Sequence, residues 1–217
     1  MYKALVPIIR TVLYPFMRIK VAGKENIPKE GGYVLAANHI SYWDPVAMAL
    51  ACPDELSFMA KKELFKNPAF AWLIRNLNAF PVDRGGTDSK PIKTALSIIK
   101  DGKVLLLFPE GTRMKEEEQT DDDAKSGMTM LAHRSKVPIV PAAIVGNYKI
   151  FKTVRVTFGK PVYLDEYYSE KLNSDTMHKI SGDVLSEIRK IREETKKVLQ
   201  KSKKCSKIEF GGLNNRR

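Results

Sequence analysis

Three short apolar runs constrain this chain more than any other feature: GYVLAAN (32–38), KVLLLF (103–108) and VPIVPAAIVG (137–146). Each is bounded by glycine, lysine, proline or polar residues, the pattern of a strand buried on both faces. Helical patterns lie between them. In SKPIKTALSIIKDG, Ile92, Ala95, Leu96 and Ile99 share a face, and Gly102 supplies a stop. Asp44-Pro45 reads as a helix start, with Asp capping free N–H groups and Pro in the first helical position, and the helix runs to about Cys52. The remaining pattern predicts a strand in LSFMA, a helix around 68–77, a strand ending at Val82 and a helix over about 126–134. A last strand over 154–162 and a long charged helix over 176–204 complete the reading. Strands alternating with helices predict one α/β domain: a central mixed, largely parallel sheet flanked by helices.

The 217 residues suit such a domain with small appendages. The pattern divides the chain into an N-terminal amphipathic helical segment (1–22), an α/β core (23–175) and a C-terminal basic helix and tail (176–217). The first segment mixes long apolar side chains with Lys3, Arg10, Arg18 and Lys20 and contains no acid. Its apolar stretches are shorter than the ~20 residues that span a bilayer, so it reads as a helix lying in a membrane interface. The alternative is a first helix packed on the domain's own core. The net charge of +12 calls for an acidic partner, either nucleic acid or an anionic membrane face. Cys52 and Cys205 stand far apart in unlike contexts, which gives no disulfide framework and no metal-ligand spacing.

In a parallel α/β sheet, ligands gather beyond the carboxyl ends of the strands. Three polar clusters follow predicted strands here: Asn38-His39, Asp83-Arg84, and Glu110-Gly111-Thr112-Arg113. His39 and Asp44 are five residues apart, which places them on different faces of a continuous helix at about 100° per residue. A loop of Ile40 to Trp43 can instead fold one onto the other, giving a general base and the carboxylate that orients it. An N-cap Asp beside a surface His is the competing reading. Ser41 lies close to His39, but no G-x-S-x-G pattern surrounds it, so a hydrogen bond within the loop is expected. Arg84 beside Gly85 and Gly86 suits phosphate, as does Arg113, although an arginine in a turn is commonly just solvated. Glu110 would be costly if buried without a partner; an Arg or a substrate hydroxyl would relieve that cost. Lys61 and Lys62 could extend an anion site or be surface lysines. His133 and His178 read as exposed.

Together these signals resemble the glycerolipid acyltransferase family, most closely the bacterial 1-acylglycerol-3-phosphate acyltransferases. NHISYWD resembles its N-H-x-S-x-x-D block, FPVDR the block with a phosphate-binding arginine, FPEGTR its E-G-T-R block, and VPIVPAAI its apolar V-P block. The similarity covers roughly residues 1–165. It implies His39 as the base that deprotonates the acceptor hydroxyl and Asp44 as its orienting partner. The hydroxyl then attacks an acyl thioester directly, without an acyl-enzyme. Arg84 is implied in holding the acceptor phosphate, Glu110, Gly111, Thr112 and Arg113 in acceptor binding, and Asn38 in shaping the His loop, with Lys62 as a further substrate-binding candidate.

The implied donor is acyl-ACP or acyl-CoA, the implied acceptor lysophosphatidic acid and the product phosphatidic acid. No metal or organic cofactor is implied, and no nucleic acid. The basic charge is then read against an anionic membrane, with the protein peripheral on the cytoplasmic face of the cell membrane. One departure is the acidic stretch MKEEEQTDDDAKSG after FPEGTR, expected to point into solvent. Rival readings keep the family but change the acceptor, to glycerol-3-phosphate, another lysophospholipid or a lyso-ornithine lipid. Outside enzymes, the rivals are a basic nucleic-acid-binding protein and a lipid-binding relative that has lost catalysis.

Overall fold

The computed structural model describes residues 1–13, 17–83, 89–110, 126–149, 152–169 and 171–213, with side chains as far as residue 201. In chain order the elements are α1 (Tyr2–Leu13), β1 (Met17–Ala22), β2 (Tyr33–Ala37), α2 (Asp44–Ala51), β3 (Leu56–Lys61), α3 (Pro68–Asn76) and β4 (Ala79–Val82). They continue with α4 (Lys90–Lys100), β5 (Val104–Leu107), α5 (Gly127–Ser135), β6 (Ile139–Gly146), β7 (Lys152–Phe158) and α6 (Ser174–Leu213). The strands form one sheet in the order β1-β7-β6-β2-β5-β3-β4. β2 to β6 run parallel to one another, β7 is antiparallel to β6, and β1 lies parallel to β7 at the edge. This is the mixed, largely parallel α/β sheet that the alternating pattern predicts.

The apolar runs make the sheet two-sided. Tyr33, Leu35 and Ala37 of β2 face a core shared with Met48 and Leu50 of α2 and with Val6, Ile9 and Leu13 of α1. Val34 and Ala36 face the opposite core, with Ile99 of α4, Leu131 of α5 and Ile188 of α6. All five β2 side chains are buried, so a one-residue slip in register would exchange two packed faces. Each Val or Leu interred this way contributes about 1.5–3 kcal/mol. Pro141 lies inside β6, where it offers no N–H, but its carbonyl accepts from Gly159 N–H at 2.7 Å.

The helical expectation for 1–22 is corrected. Among the described residues of this segment, Tyr2–Leu13 is helical and Met17–Ala22 is an edge strand paired residue for residue with β7. MRIKVA alternates apolar and basic side chains, which suits a strand with one wet face as well as an interfacial segment. Gly23 then turns the chain with φ +74, where a Cβ would collide with the Phe158 carbonyl at 2.0 Å. α1 itself divides. Tyr2 is buried and Val6, Ile9 and Leu13 pack inward, while Ile8 and Val12 are 59% and 60% exposed. Arg10 Nη2 donates to the Leu50 carbonyl at 2.7 Å, satisfying an acceptor in the last turn of α2. No described helix is long and apolar enough to cross a membrane.

Candidate active site

The topology brings the carboxyl ends of β2, β3, β4, β5 and β6 to one edge of the sheet. Asn38 and His39 follow β2, Lys62 follows β3, Asp83 follows β4, Phe108 and Glu110 follow β5, and Tyr148 follows β6. β2 sits between β5 and β6, so three of these ends are immediate neighbours. Asn38 is 1% exposed and ties two of them together. Its Nδ2 donates to the Ile144 carbonyl at 3.1 Å, and its Oδ1 accepts from Ile144 N–H at 2.7 Å. The side-chain amide thus continues the β2/β6 ladder where the backbone leaves it, one residue before His39.

Asp44 opens α2, but its carboxylate does not cap that helix; the N-cap position falls at Trp43, without a side-chain bond. The carboxylate turns back into the preceding loop. Oδ2 accepts from Ile40 N–H at 2.6 Å, from Ser41 N–H at 2.7 Å and from His39 Nδ1 at 2.8 Å. Oδ1 accepts from the Tyr148 hydroxyl at 2.6 Å. A buried carboxylate needs such compensation, and Asp44 is fully buried. With the Nδ1 proton directed at Asp44, Nε2 of a neutral His39 is left as the proton acceptor. The ring stacks on Phe108, with centroids 4.1 Å apart and planes 17° from parallel. Ser41 Oγ accepts from Trp43 N–H at 3.3 Å, a bond within the loop as expected.

Glu110 is 4% exposed. Oε2 accepts weakly from His39 N–H at 3.4 Å, and Oε1 has no hydrogen-bond partner among the described residues. Burial pushes its carboxyl above the ordinary range; the His39 N–H and the charges of Arg192, Arg189 and His39 pull it back less strongly. Both arginines come from α6. Lys62 Nζ lies 3.7 Å from Asp83 Oδ2, an exposed pair one residue before Arg84 in the chain. Arg84, Gly111, Thr112, Arg113 and the acidic stretch over 114–125 lie outside the described residues. His178 is exposed, whereas His133 is partly buried and donates from Nε2 to the Tyr167 carbonyl at 2.7 Å.

The structure therefore joins His39, Asp44, Asn38 and Glu110 in one constellation and places Lys62 farther along the same edge. It adds three kinds of residue that the sequence reading did not single out. Phe108 was visible as the first letter of FPEGTR. Tyr148 lies two residues after Gly146, the end of β6, where a φ of +137 and a would-be Cβ 2.5 Å from the Thr153 carbonyl call for glycine. Arg189 and Arg192 carry no signal that separates them from the other basic residues of a long charged helix.

A family model described as Acyltransferase matches residues 18–145, a span that holds this whole constellation except Tyr148 and the α6 arginines. The chain belongs to the acyltransferase family. This acyltransferase is 32% identical over 173 residues to the 1-acyl-sn-glycerol-3-phosphate acyltransferase of Bacillus subtilis, covering 77% of this chain and 85% of that protein. It is 33% identical over 180 residues to the enzyme of that name from Streptococcus pneumoniae, covering 79% of this chain but 65% of the longer relative. Its fold matches the crystal structure of the 1-acyl-sn-glycerophosphate (LPA) acyltransferase from Thermotoga maritima with a TM-score of 0.69 at 27% identity. That match covers 90% of this chain and 79% of the other.

Proposed function

We propose that this acyltransferase moves a fatty acyl group from a thioester carrier, acyl-ACP or acyl-CoA, to the sn-2 hydroxyl of 1-acylglycerol-3-phosphate, giving phosphatidic acid. The observation that carries the chemistry is the 2.8 Å contact between His39 Nδ1 and a fully buried Asp44. Nε2 of His39 takes the acceptor's hydroxyl proton as its oxygen attacks the thioester carbonyl. Asp44 stabilises the imidazolium so formed. Collapse of the tetrahedral intermediate breaks the C–S bond, and the departing thiolate recovers the proton from His39. The unpartnered Oε1 of Glu110 supports a role in accepting a hydrogen bond from the acceptor, with Gly111, Thr112 and Arg113 completing that block. Arg84 holds the acceptor phosphate through its paired donors, and Lys62 supplies further positive charge nearby.

The exposed Ile8 and Val12 of α1, with the net charge of +12, support peripheral binding at the anionic cytoplasmic face of the cell membrane, where the lipid acceptor resides. The test is acyl transfer by the purified protein from acyl-ACP and acyl-CoA, with lysophosphatidic acid and glycerol-3-phosphate side by side on anionic vesicles. Phosphatidic acid from the lyso acceptor is expected, with His39→Ala lowering turnover by about 10²–10⁴ while the fold persists. Near-normal turnover in that variant would sink the base assignment. Arg84→Ala is expected to raise KM for the phosphorylated acceptor more than for the donor, and an equal rise for both would refute its phosphate role.

A further inference from the structure

We propose that Tyr148 is a positioning residue for acyl transfer, its phenol holding Asp44 from the side opposite His39 so that the carboxylate both orients the imidazole and sets its proton affinity. The inference rests on the acyl-transfer reading above. The Tyr148 hydroxyl donates to Asp44 Oδ1 at 2.6 Å, a length typical of a charge-assisted bond, whereas His39 and the two loop N–H groups all converge on Oδ2. The two oxygens therefore have separate duties. Oδ2 closes the loop and receives the ring, and Oδ1 is anchored, among the described residues, by the Tyr148 hydroxyl from beyond β6.

That anchor is placed by the fold. β6 is tied to the end of β2 by the two Asn38–Ile144 bonds, and Tyr148 follows two residues after Gly146, the last residue of β6, which is still paired with Val154 of β7. The Tyr148 ring packs against the core that Leu35, Ala37 and Met48 share, which leaves the hydroxyl little freedom to swing away. Burial, with Asp44 beside it, raises the phenol well above its ordinary range, so it stays a proton donor throughout the working pH range. Among the described residues, the ionisable groups facing His39 are Asp44 from α2 and Glu110 after β5, with Arg189 and Arg192 of α6 acting on Glu110. Tyr148 reaches His39 only through Asp44.

A donor removed from a carboxylate makes that carboxylate a stronger base, which holds the proton of a neighbouring imidazolium more tightly. In the full-length protein, Tyr148→Phe is expected to raise the His39 pKa by about half a unit or more, followed by NMR of the ring resonances. The acid limb of kcat/KM should move to higher pH with it. Plateau kcat should fall about tenfold with both KM values within about twofold, the pattern of lost positioning rather than lost binding. In an Asp44→Asn background, the same substitution should leave the pH profile where it is. An unmoved His39 titration and pH profile in Tyr148→Phe would overturn the inference, even if the melting temperature dropped. Because the NMR titration needs no turnover, it judges the Tyr148–Asp44–His39 chain even if the wild-type protein fails to make phosphatidic acid, a result that would overturn the acyl-transfer reading by itself.

Discussion

Replacing Asp44 by Asn and by Ala should separate its two jobs, because the four donors around it respond differently to each change. In Asp44→Asn the amide has one acceptor and one donor end. Three donors converge on Oδ2, from Ile40, Ser41 and His39, and one hydroxyl meets Oδ1. Placing the carbonyl at the Oδ2 position satisfies all three, and the Tyr148 hydroxyl can turn to accept from the new NH₂. The opposite placement sets NH₂ against two N–H groups and the ring. The loop thus selects the rotamer that keeps the proton on His39 Nδ1. What is lost is the charge facing the imidazolium, the difference between a charge-assisted and a neutral hydrogen bond, so kcat should fall about ten- to a hundredfold. An amide that reversed the tautomer would cost about 10⁴ instead.

Asp44→Ala leaves the Ile40 and Ser41 N–H groups and the Tyr148 hydroxyl without their acceptor. These sites are part-buried, so the low end of the desolvation penalty applies, about 1 kcal/mol each and about 3 kcal/mol together. For a chain of this size that lowers the melting temperature by roughly 6–12 °C. The assays are steady-state acyl transfer and thermal unfolding on the same preparations. A loss near 10⁴ in the Asn variant, or an Ala variant that melts with the wild type, would refute the account of how this loop is held.

Glu110→Gln should relieve a buried carboxylate. The raised pKa of Glu110 in the folded protein means that its contribution is favourable at acid pH and is lost as pH rises from the ordinary carboxyl range through the raised value. The Gln variant should therefore gain stability relative to wild type as pH rises through that window, while KM for the acceptor increases; urea midpoints at several pH values and acceptor kinetics check both. Asn38→Asp keeps an acceptor for Ile144 N–H but sets a second oxygen against the Ile144 carbonyl. It should cost about 2–4 kcal/mol at neutral pH and recover partly in acid, measured by denaturant unfolding. Ile8→Glu with Val12→Glu should abolish sedimentation with anionic vesicles while leaving the melting temperature within a few degrees; unchanged sedimentation would remove α1 from the membrane reading.

The central strands were legible in the sequence because both of their faces are buried, which leaves an uninterrupted apolar run such as VLAA or VLLL. β1 was not, because it is an edge strand. MRIKVA keeps Arg18 and Lys20 on its wetter side, and the same mixture of basic and apolar residues describes an interfacial helix. The pairing of His39 with Asp44 could be anticipated from a short loop between a strand end and a helix start, but the direction of the carboxylate could not. Helix capping and loop closure call for the same residue in the same place, and three-dimensional packing chose the second. Tyr148 and Arg192 reach the site from distant parts of the chain, and nothing local in a sequence marks a contact made across the sheet.

The placement of β1 has a consequence for synthesis. Among the described strands it is made first, and its partner, β7, is made last. Until β7 is made, the edge of β1 has nothing to pair with, and the core beneath α1 lacks Val154, Val156 and Phe158. The pairing of residues 17–22 with 152–157 is thus a late, non-local closure of the kind that slows folding. Amide exchange along β1 should report its opening ahead of the central strands.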